Sequence, residues 1–159
     1  MVFLLSGLLL GCATTQAVDV KKRSEAKHQL GNSLLYEKNY QGAVKELKEA
    51  AETDPENPDI QNSLGLAYQG LKLPEQAIVH YQTAIRLKPN SPEFENNLGT
   101  AYAATKQWNL AIPYFQKAAD NYLYRTRHVA YDNLGSVYHN KGDYRRAIDN
   151  YKKAVESSK

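Results

Sequence analysis

Apolar residues in this chain recur three or four positions apart, which is the spacing of a helix face rather than of a strand. Residues 58–87 show the pattern clearly, because two apolar stripes are separated there by a short polar interval. Low glycine and proline content also favours helix over sheet. The sequence therefore predicts an all-α fold with helices near residues 23–37, 40–53, 58–70, 74–87, 92–104, 108–121, 128–140 and 144–157.

The helical pattern itself repeats along the chain. Leu-Gly pairs begin at Leu30, Leu64, Leu98 and Leu134, at steps of 34, 34 and 36 residues. Each glycine is followed at fixed distances by a leucine or aromatic residue and by two alanines. Glycine inside a helix costs about 1 kcal/mol relative to alanine. Its regular recurrence therefore predicts positions where a neighbouring helix approaches closely.

This period and its Leu-Gly, tyrosine and alanine positions resemble the tetratricopeptide repeat (TPR). The resemblance implies a TPR solenoid of four helix-turn-helix repeats that form a right-handed superhelix with a concave groove. We expect a TPR domain over residues 23–159, with the first helix of each repeat lining the groove. Solenoids of this kind bind segments of other proteins, so the resemblance implies a binding role. The expected repeats are at about 24–57, 58–91, 92–127 and 128–159.

Candidate groove residues lie on the first helices, around the Leu-Gly pairs. Asn97 and Asn133 directly precede a pair, and Asn62 lies one position earlier. Asparagine is a weaker helix former than alanine by up to about 0.7 kcal/mol, but its amide can both donate to and accept from a peptide backbone. We expect these three to hold a peptide; the alternative is that they cap local groups or are solvated. The predicted groove set is His28, Asn32, Asn62, Leu66, Asn96, Asn97, Thr100, Asp132, Asn133, Ser136 and His139.

The step of 36 residues predicts a longer connection between the third and fourth repeats. Tyr122, Leu123, Tyr124 and Arg125 lie in this connection. Aromatic residues and arginine are enriched in the energetically dominant parts of protein interfaces. The segment is therefore a candidate partner patch; the alternative is that its tyrosines pack beneath the connection.

The beginning of the chain has a different pattern, a short apolar run that ends at the single cysteine. Residues 2–10 are apolar or small; this is shorter than the about 20 residues that span a bilayer but matches the core of a secretory signal. Leu9-Leu10-Gly11-Cys12 resembles the processing box of bacterial lipoproteins. The resemblance implies a signal peptide over 1–11, acylation of Cys12 by chains such as palmitate, and a tether over 12–22, flexible at 13–19. The alternative is an apolar terminus with a chance cysteine.

A closer resemblance combines these features. The pair Leu123-Tyr124 with a nearby arginine, followed by Asn133-Leu134-Gly135, resembles the type IV pilus biogenesis/stability lipoproteins, or pilotins. This implies an adaptor that is anchored to the outer membrane, faces the periplasm and takes a secretin subunit as its partner. Two alternatives stay open. One is another envelope scaffold, for example one that recruits cell-wall enzymes, and the other is a soluble cytoplasmic TPR adaptor.

Members of that family carry about six repeats, whereas this chain stops within the fourth. Ile148, Tyr151 and Val155 form an apolar stripe on the last predicted helix, and no capping helix follows it. Solenoids usually end in a polar cap. We therefore expect this face either to be covered by another chain, for example in a homo-oligomer, or to be an open apolar edge.

Charge and side-chain chemistry exclude several other function classes. The 20 Lys and Arg residues against 17 Asp and Glu give a net charge of +3 without a concentrated basic face, so no nucleic-acid partner is expected. One cysteine excludes an intramolecular disulfide and a cysteine-based zinc site. The four histidines lack metal-ligand spacing, and no phosphate loop or nucleophile elbow occurs. We expect no metal, no cofactor and no catalytic site.

Overall fold

The computed structural model describes residues 7–158, with side chains described for residues 18–158. All regular structure in this part of the chain is helical. Helices α2 to α8 begin and end within one residue of the predicted bounds. The helices are α1 (Gly7–Tyr36), α2 (Tyr40–Thr53), α3 (Pro58–Gly70), α4 (Pro74–Leu87), α5 (Pro92–Ala104), α6 (Trp108–Asp120), α7 (Arg127–Asn140) and α8 (Tyr144–Ser157).

The first helix is longer than predicted. It begins at Gly7 rather than near residue 23, so residues 13–19, expected to be a flexible tether, are helical. The physical reason is that no proline or turn sequence interrupts this stretch, and its residues are compatible with helix. Residues 1–6 of the predicted signal, and the side chain of Cys12, lie outside the described residues. Within the described part, no helix is both long and apolar enough to cross a membrane.

The two helices of each repeat are joined by the same tight turn. Asn39 N donates to Leu34 O at 2.8 Å and Leu73 N donates to Tyr68 O at 3.0 Å, which is the six-to-one bond of a Schellman motif. One residue in each turn adopts the left-handed conformation that this motif requires. These turn residues are Lys38, Lys72, Lys106 and Gly142, with φ of 60, 62, 60 and 79°.

The repeated glycines lie where the two helices of a repeat are closest. A Cβ atom built on Gly99 would lie 2.7 Å from the Phe115 ring, and one on Gly135 would lie 2.6 Å from the Tyr151 ring. Real Cβ atoms do not approach other atoms so closely, so a larger residue would displace these rings. The predicted close helix approach is confirmed, with the same relation between Gly31 and Leu47 and between Gly65 and Tyr81.

Successive repeats stack with their first helices side by side. Helix α1 contacts α3, α3 contacts α5, and α5 contacts α7, besides the contacts between helices adjacent in the chain. Among the described residues, the second helices make no corresponding contacts with each other. The first helices are therefore closer together and line the concave side, as expected for a TPR solenoid.

Stacking buries the leucine of each Leu-Gly pair wherever another repeat precedes it. Leu64, Leu98 and Leu134 are at most 1% exposed, whereas the equivalent Leu30 of α1 is 47% exposed. At the other end of the stack, Ile148 and Val155 of α8 are 54% and 63% exposed. Within the described residues, nothing packs on these two outer faces.

Candidate peptide-binding groove

Side-chain hydrogen bonds connect the first helices of successive repeats. Asn97 Nδ2 donates to Asn62 Oδ1 at 2.9 Å, and Asn133 Nδ2 donates to Asn96 Oδ1 at 3.0 Å. At the first junction, Ser63 Oγ donates to Asn32 Oδ1 at 2.8 Å and lies 3.0 Å from His28 Nε2. We name this set the groove ladder: His28, Asn32, Asn62, Ser63, Asn96, Asn97 and Asn133.

The groove ladder follows the repeat register. At each junction the later repeat contributes the residue directly before its Leu-Gly pair: Ser63, Asn97 or Asn133. The earlier repeat contributes the residue two positions before its own leucine: His28, Asn62 or Asn96. The same bond therefore recurs as the repeats stack. Ser63 was not among the predicted groove residues, although it directly precedes Leu64, as Asn97 and Asn133 precede their leucines.

Each amide of the groove ladder uses only part of its hydrogen-bonding capacity. Within the described residues, Asn62 Nδ2 and Asn96 Nδ2 have no acceptor, and Asn97 Oδ1 and Asn133 Oδ1 have no donor. None of these four atoms is sealed from solvent. Asn62 and Asn96 are 5% and 8% exposed, so their remaining donors have little access to water. An extended peptide backbone offers the matching acceptors and donors.

His28 begins the groove ladder as a half-buried side chain. Burial lowers its pKa, and the carboxylates of Asp59 and Glu25 act in the opposite direction. The ring is therefore neutral at pH 7, with one ring nitrogen able to accept a hydrogen bond. Asn32 Nδ2 lies 3.1 Å from Nε2, so this amide can be that donor.

A cavity of about 470 Å³ opens between the first two repeats, where α1 and α3 end. Leu66 and Leu35 contribute apolar surface to it, and Tyr36 beside them is 91% exposed. We name it the groove cavity. It offers space for an apolar side chain of a bound segment, one helix turn from the groove ladder. Its lining is Leu35, Tyr36, Tyr40, Leu66, Gln69, Gly70 and Lys72.

Four predicted groove residues lie on the same helices but do not join the groove ladder. Thr100 Oγ1 donates to the backbone oxygen of Asn96 at 2.9 Å. His139 packs edge-on against Tyr144, with ring centroids 5.4 Å apart. Asp132 and Ser136 are exposed. Among the described residues, no group of three or more His, Cys, Asp and Glu side chains could hold a metal ion.

The structure divides the candidate partner patch. Tyr122 and Leu123 are 78% and 74% exposed, and Arg125 is also exposed. Tyr124 is half-buried and packs against the core between the third and fourth repeats. The packing interpretation therefore holds for Tyr124, and the partner role of Tyr122, Leu123 and Arg125 stays a prediction.

Family comparison agrees with this geometry. A family model described as Tetratricopeptide repeat matches residues 92–159, and one described as TPR repeat matches residues 31–72 and 75–106. The chain is a tetratricopeptide-repeat protein. Proteins of this family act as adaptors in protein–protein interactions and bind proteins or peptides in a groove. Proteins with this fold are generally scaffolds without enzymatic activity.

Solved structures with the same fold include PilF, PilW and YrrB. PilF of Pseudomonas aeruginosa is 24% identical, with a TM-score of 0.80 over 87% of this chain and 63% of that protein. PilW, a widely conserved type IV pilus biogenesis factor, is 26% identical, with a TM-score of 0.78 over 84% of this chain and 61% of PilW. YrrB, a TPR protein with an unusual peptide-binding site, is 24% identical, with a TM-score of 0.73 over 84% of this chain and 68% of YrrB.

The chain thus spans less than two-thirds of the length of PilF and PilW. No curated protein matches the chain in sequence.

Proposed function

We propose that this TPR protein is a lipid-anchored adaptor of the bacterial envelope, which holds an extended segment of an assembly partner in its groove. The observation that carries the proposal is the half-used groove ladder. Asn62 and Asn96 keep free donors, and Asn97 and Asn133 keep free acceptors, along one face. An extended backbone alternates the same two groups along its edge.

The groove cavity supports binding that depends on more than the backbone. A single hydrogen bond contributes only about 0.5–1.5 kcal/mol net, because the free partners are already hydrogen-bonded to water. Burial of one leucine-sized side chain contributes about 1.5–3 kcal/mol. A segment that places an apolar side chain against Leu35 and Leu66, with its backbone along the groove ladder, combines both contributions.

Type IV pilus biogenesis is the system that we infer, with a secretin subunit as the partner. The fold similarity to PilF and PilW supports this assignment, as does the exposure of Tyr122 and Leu123 in the long connection. Acylation of Cys12 would anchor the protein to the outer membrane, because each buried acyl CH₂ contributes about 0.8 kcal/mol and two or more chains hold stably. A protein anchored in this way would expose its groove to the periplasm.

Site-specific photocrosslinking in cells tests the partner assignment. A photoreactive amino acid at Ser136, on the groove-lining helix α7, should capture the secretin subunit. The same probe at Val79, which is 58% exposed on the second-helix side, is the matched control and should not. Capture of a cell-wall enzyme from Ser136 would support the alternative envelope scaffold, and equal capture at both positions would contradict groove binding.

Metabolic labelling with radioactive palmitate tests the anchor separately. The chain should incorporate label and fractionate with the outer membrane, and the Cys12→Ser variant should do neither. A chain that stays unlabelled and soluble would support the cytoplasmic alternative instead.

We further propose that a second copy covers the outer face of α8. Ile148 and Val155 occupy the register of Ile78 and Ile85, which in the second repeat belong to a core shared with α5. On helix α1, the exposed Leu30 occupies the position of Leu98, which is buried in that same core. A head-to-tail contact between α8 of one copy and α1 of the next would therefore repeat the internal repeat junction.

Sedimentation velocity over a range of concentrations tests this contact. We expect association that Ile148→Lys abolishes and that Val79→Lys, an equally drastic change on another exposed site, leaves intact. A monomer at every concentration would contradict the proposal.

A further inference from the structure

A second cavity lies at the end of the third repeat, away from the groove ladder. It measures about 510 Å³ and opens where α6 ends and the long connection begins. None of its lining residues belongs to the groove ladder or to the groove cavity. We name it the connector pocket; its lining is Asn90, Glu95, Lys117, Asp120, Asn121, Tyr122 and Leu123.

Glu95 is the unusual residue of the connector pocket. It is 4% exposed, yet its carboxylate makes no hydrogen bond and no ion pair with any residue that the structure describes. Neither carboxylate oxygen is sealed from solvent, so both open into the connector pocket. A carboxylate that is only partly hydrated and has no partner is still costly. Burial raises its pKa, and the charge of Lys117 acts in the opposite direction.

The equivalent residues of the first two repeats are paired. Lys27 forms ion pairs with Glu46 and Glu49, and the distance to Glu49 is 2.9 Å. In the second repeat, Gln61 Oε1 lies 2.9 Å from His80 Nδ1. The third repeat places Tyr114 at the position of Glu46 and His80. Among the described residues its hydroxyl makes no hydrogen bond with Glu95, and its ring stacks on Tyr102. The lack of a partner is therefore local to the connector pocket and is not a general property of this register.

Lys117 is the cation whose charge acts on this carboxylate, but the two side chains do not pair. No ion pair within 4.0 Å joins the two side chains. The ammonium group lies 5.9 Å from the centre of the Tyr114 ring instead. Lys117 therefore weakens the negative potential of the pocket without filling the position beside Glu95.

The mouth of the connector pocket is apolar and held in place. Tyr122 and Leu123 are 78% and 74% exposed, a large apolar surface for a short connection. Leu123 N donates to Asn121 Oδ1 and Tyr124 N donates to Asn121 O, both at 3.0 Å. These two bonds fix the backbone that presents the exposed side chains.

We propose that the connector pocket is a second docking site, which takes an arginine side chain that a partner protein presents beside an apolar residue. The guanidinium group donates to Glu95, and its planar face packs against Tyr122. The neighbouring apolar residue packs on Leu123. Arginine fits better than lysine because its planar group can bind a carboxylate in bidentate fashion and still stack on an aromatic ring.

Two short peptides test this proposal on the full chain by NMR. One carries a central Leu-Arg-Leu motif, and the other replaces the arginine with citrulline, which has nearly the same shape but no charge. The arginine peptide should shift the backbone amide resonances of Glu95, Asn121 and Leu123. The citrulline peptide should bind about tenfold more weakly. Equal shifts with both peptides, or shifts confined to the groove ladder, would overturn the proposal.

The Glu95→Gln variant provides a second, independent readout. It should weaken the arginine peptide about tenfold and also raise the Tm of the free protein, because it removes an unpaired and partly desolvated charge. A lower Tm would mean that Glu95 pairs with Lys117 in solution, and that result would overturn the proposal. Crosslinking from Ser136 in the groove does not involve this pocket, so failure here and failure of the groove assignment are distinguishable.

Discussion

Asn133 Nδ2 donates a hydrogen bond to Asn96 Oδ1 at 3.0 Å, and this bond joins the first helix of the fourth repeat to that of the third. The pair has two roles. It connects two repeats, and it orients both amides so that one keeps a free donor and the other a free acceptor on the concave face. Stability of the stack and capacity to bind a peptide therefore depend on the same side chains.

Removal of a groove-ladder amide is predicted to lower the stability of the protein. Asn97→Ala leaves Asn62, which is 5% exposed, without its donor and should lower the free energy of unfolding by about 1–2 kcal/mol. Urea denaturation measures this change. Asn140→Ala is the matched control, because Asn140 is exposed and bonds only within α7; it should change stability by less than about 0.5 kcal/mol. Equal effects of the two substitutions would mean that the groove ladder does not stabilise the stack.

The close helix approach predicts that a methyl group at Gly99 is harmful. Gly99→Ala should destabilise the protein by about 1–3 kcal/mol, because the new Cβ would lie 2.7 Å from the Phe115 ring. Helix propensity alone predicts the opposite, a gain of about 1 kcal/mol, so even the sign is informative. Combining Gly99→Ala with Phe115→Leu should cost less than the sum of the two single changes, since the smaller side chain relieves the clash.

The repeat turns predict a stabilising substitution. Lys72 adopts φ of 62°, a conformation that costs a residue with a Cβ about 1 kcal/mol and costs glycine almost nothing. Lys72→Gly should therefore raise the thermal midpoint. Gly142→Lys, the reverse change at the same turn position with φ of 79°, should lower it. Both variants lowering the midpoint would indicate that the lysine side chain contributes contacts that outweigh the backbone strain.

The half-buried His80 predicts a weaker fold at mildly acidic pH. Burial lowers the pKa of His80, with the charge of Lys48 acting in the same direction. Below the unfolded value of about 6.5, the unfolded chain binds the proton before the folded one does, so stability falls as pH decreases toward the folded pKa. The urea midpoint should decrease from pH 7 to pH 5, and less steeply in His80→Gln. Parallel pH profiles would show that His80 does not contribute.

The sequence predicted the length of the connection between the third and fourth repeats but not the packing of its side chains. The 36-residue step correctly predicted a longer connection, but Tyr122 and Tyr124 look alike in the sequence. Only packing distinguishes them, since Tyr124 contacts the core and Tyr122 does not. The start of α1 is a different case. Residues 13–19 were predicted to be a flexible tether, but they form helix because no proline or turn sequence interrupts them.

The sequence by itself determined the order of the eight helices, the bounds of α2 to α8 and the close approach at the repeated glycines, because each depends on residues close together in the chain and repeats with it. Only the tertiary structure decided which amides meet. Asn62 and Asn97 are 35 positions apart and Asn96 and Asn133 are 37 apart, so their pairing depends on how one repeat stacks on the next. The isolation of Glu95 is likewise tertiary, because it results from the side chains that α6 places opposite it rather than from any neighbour in the chain.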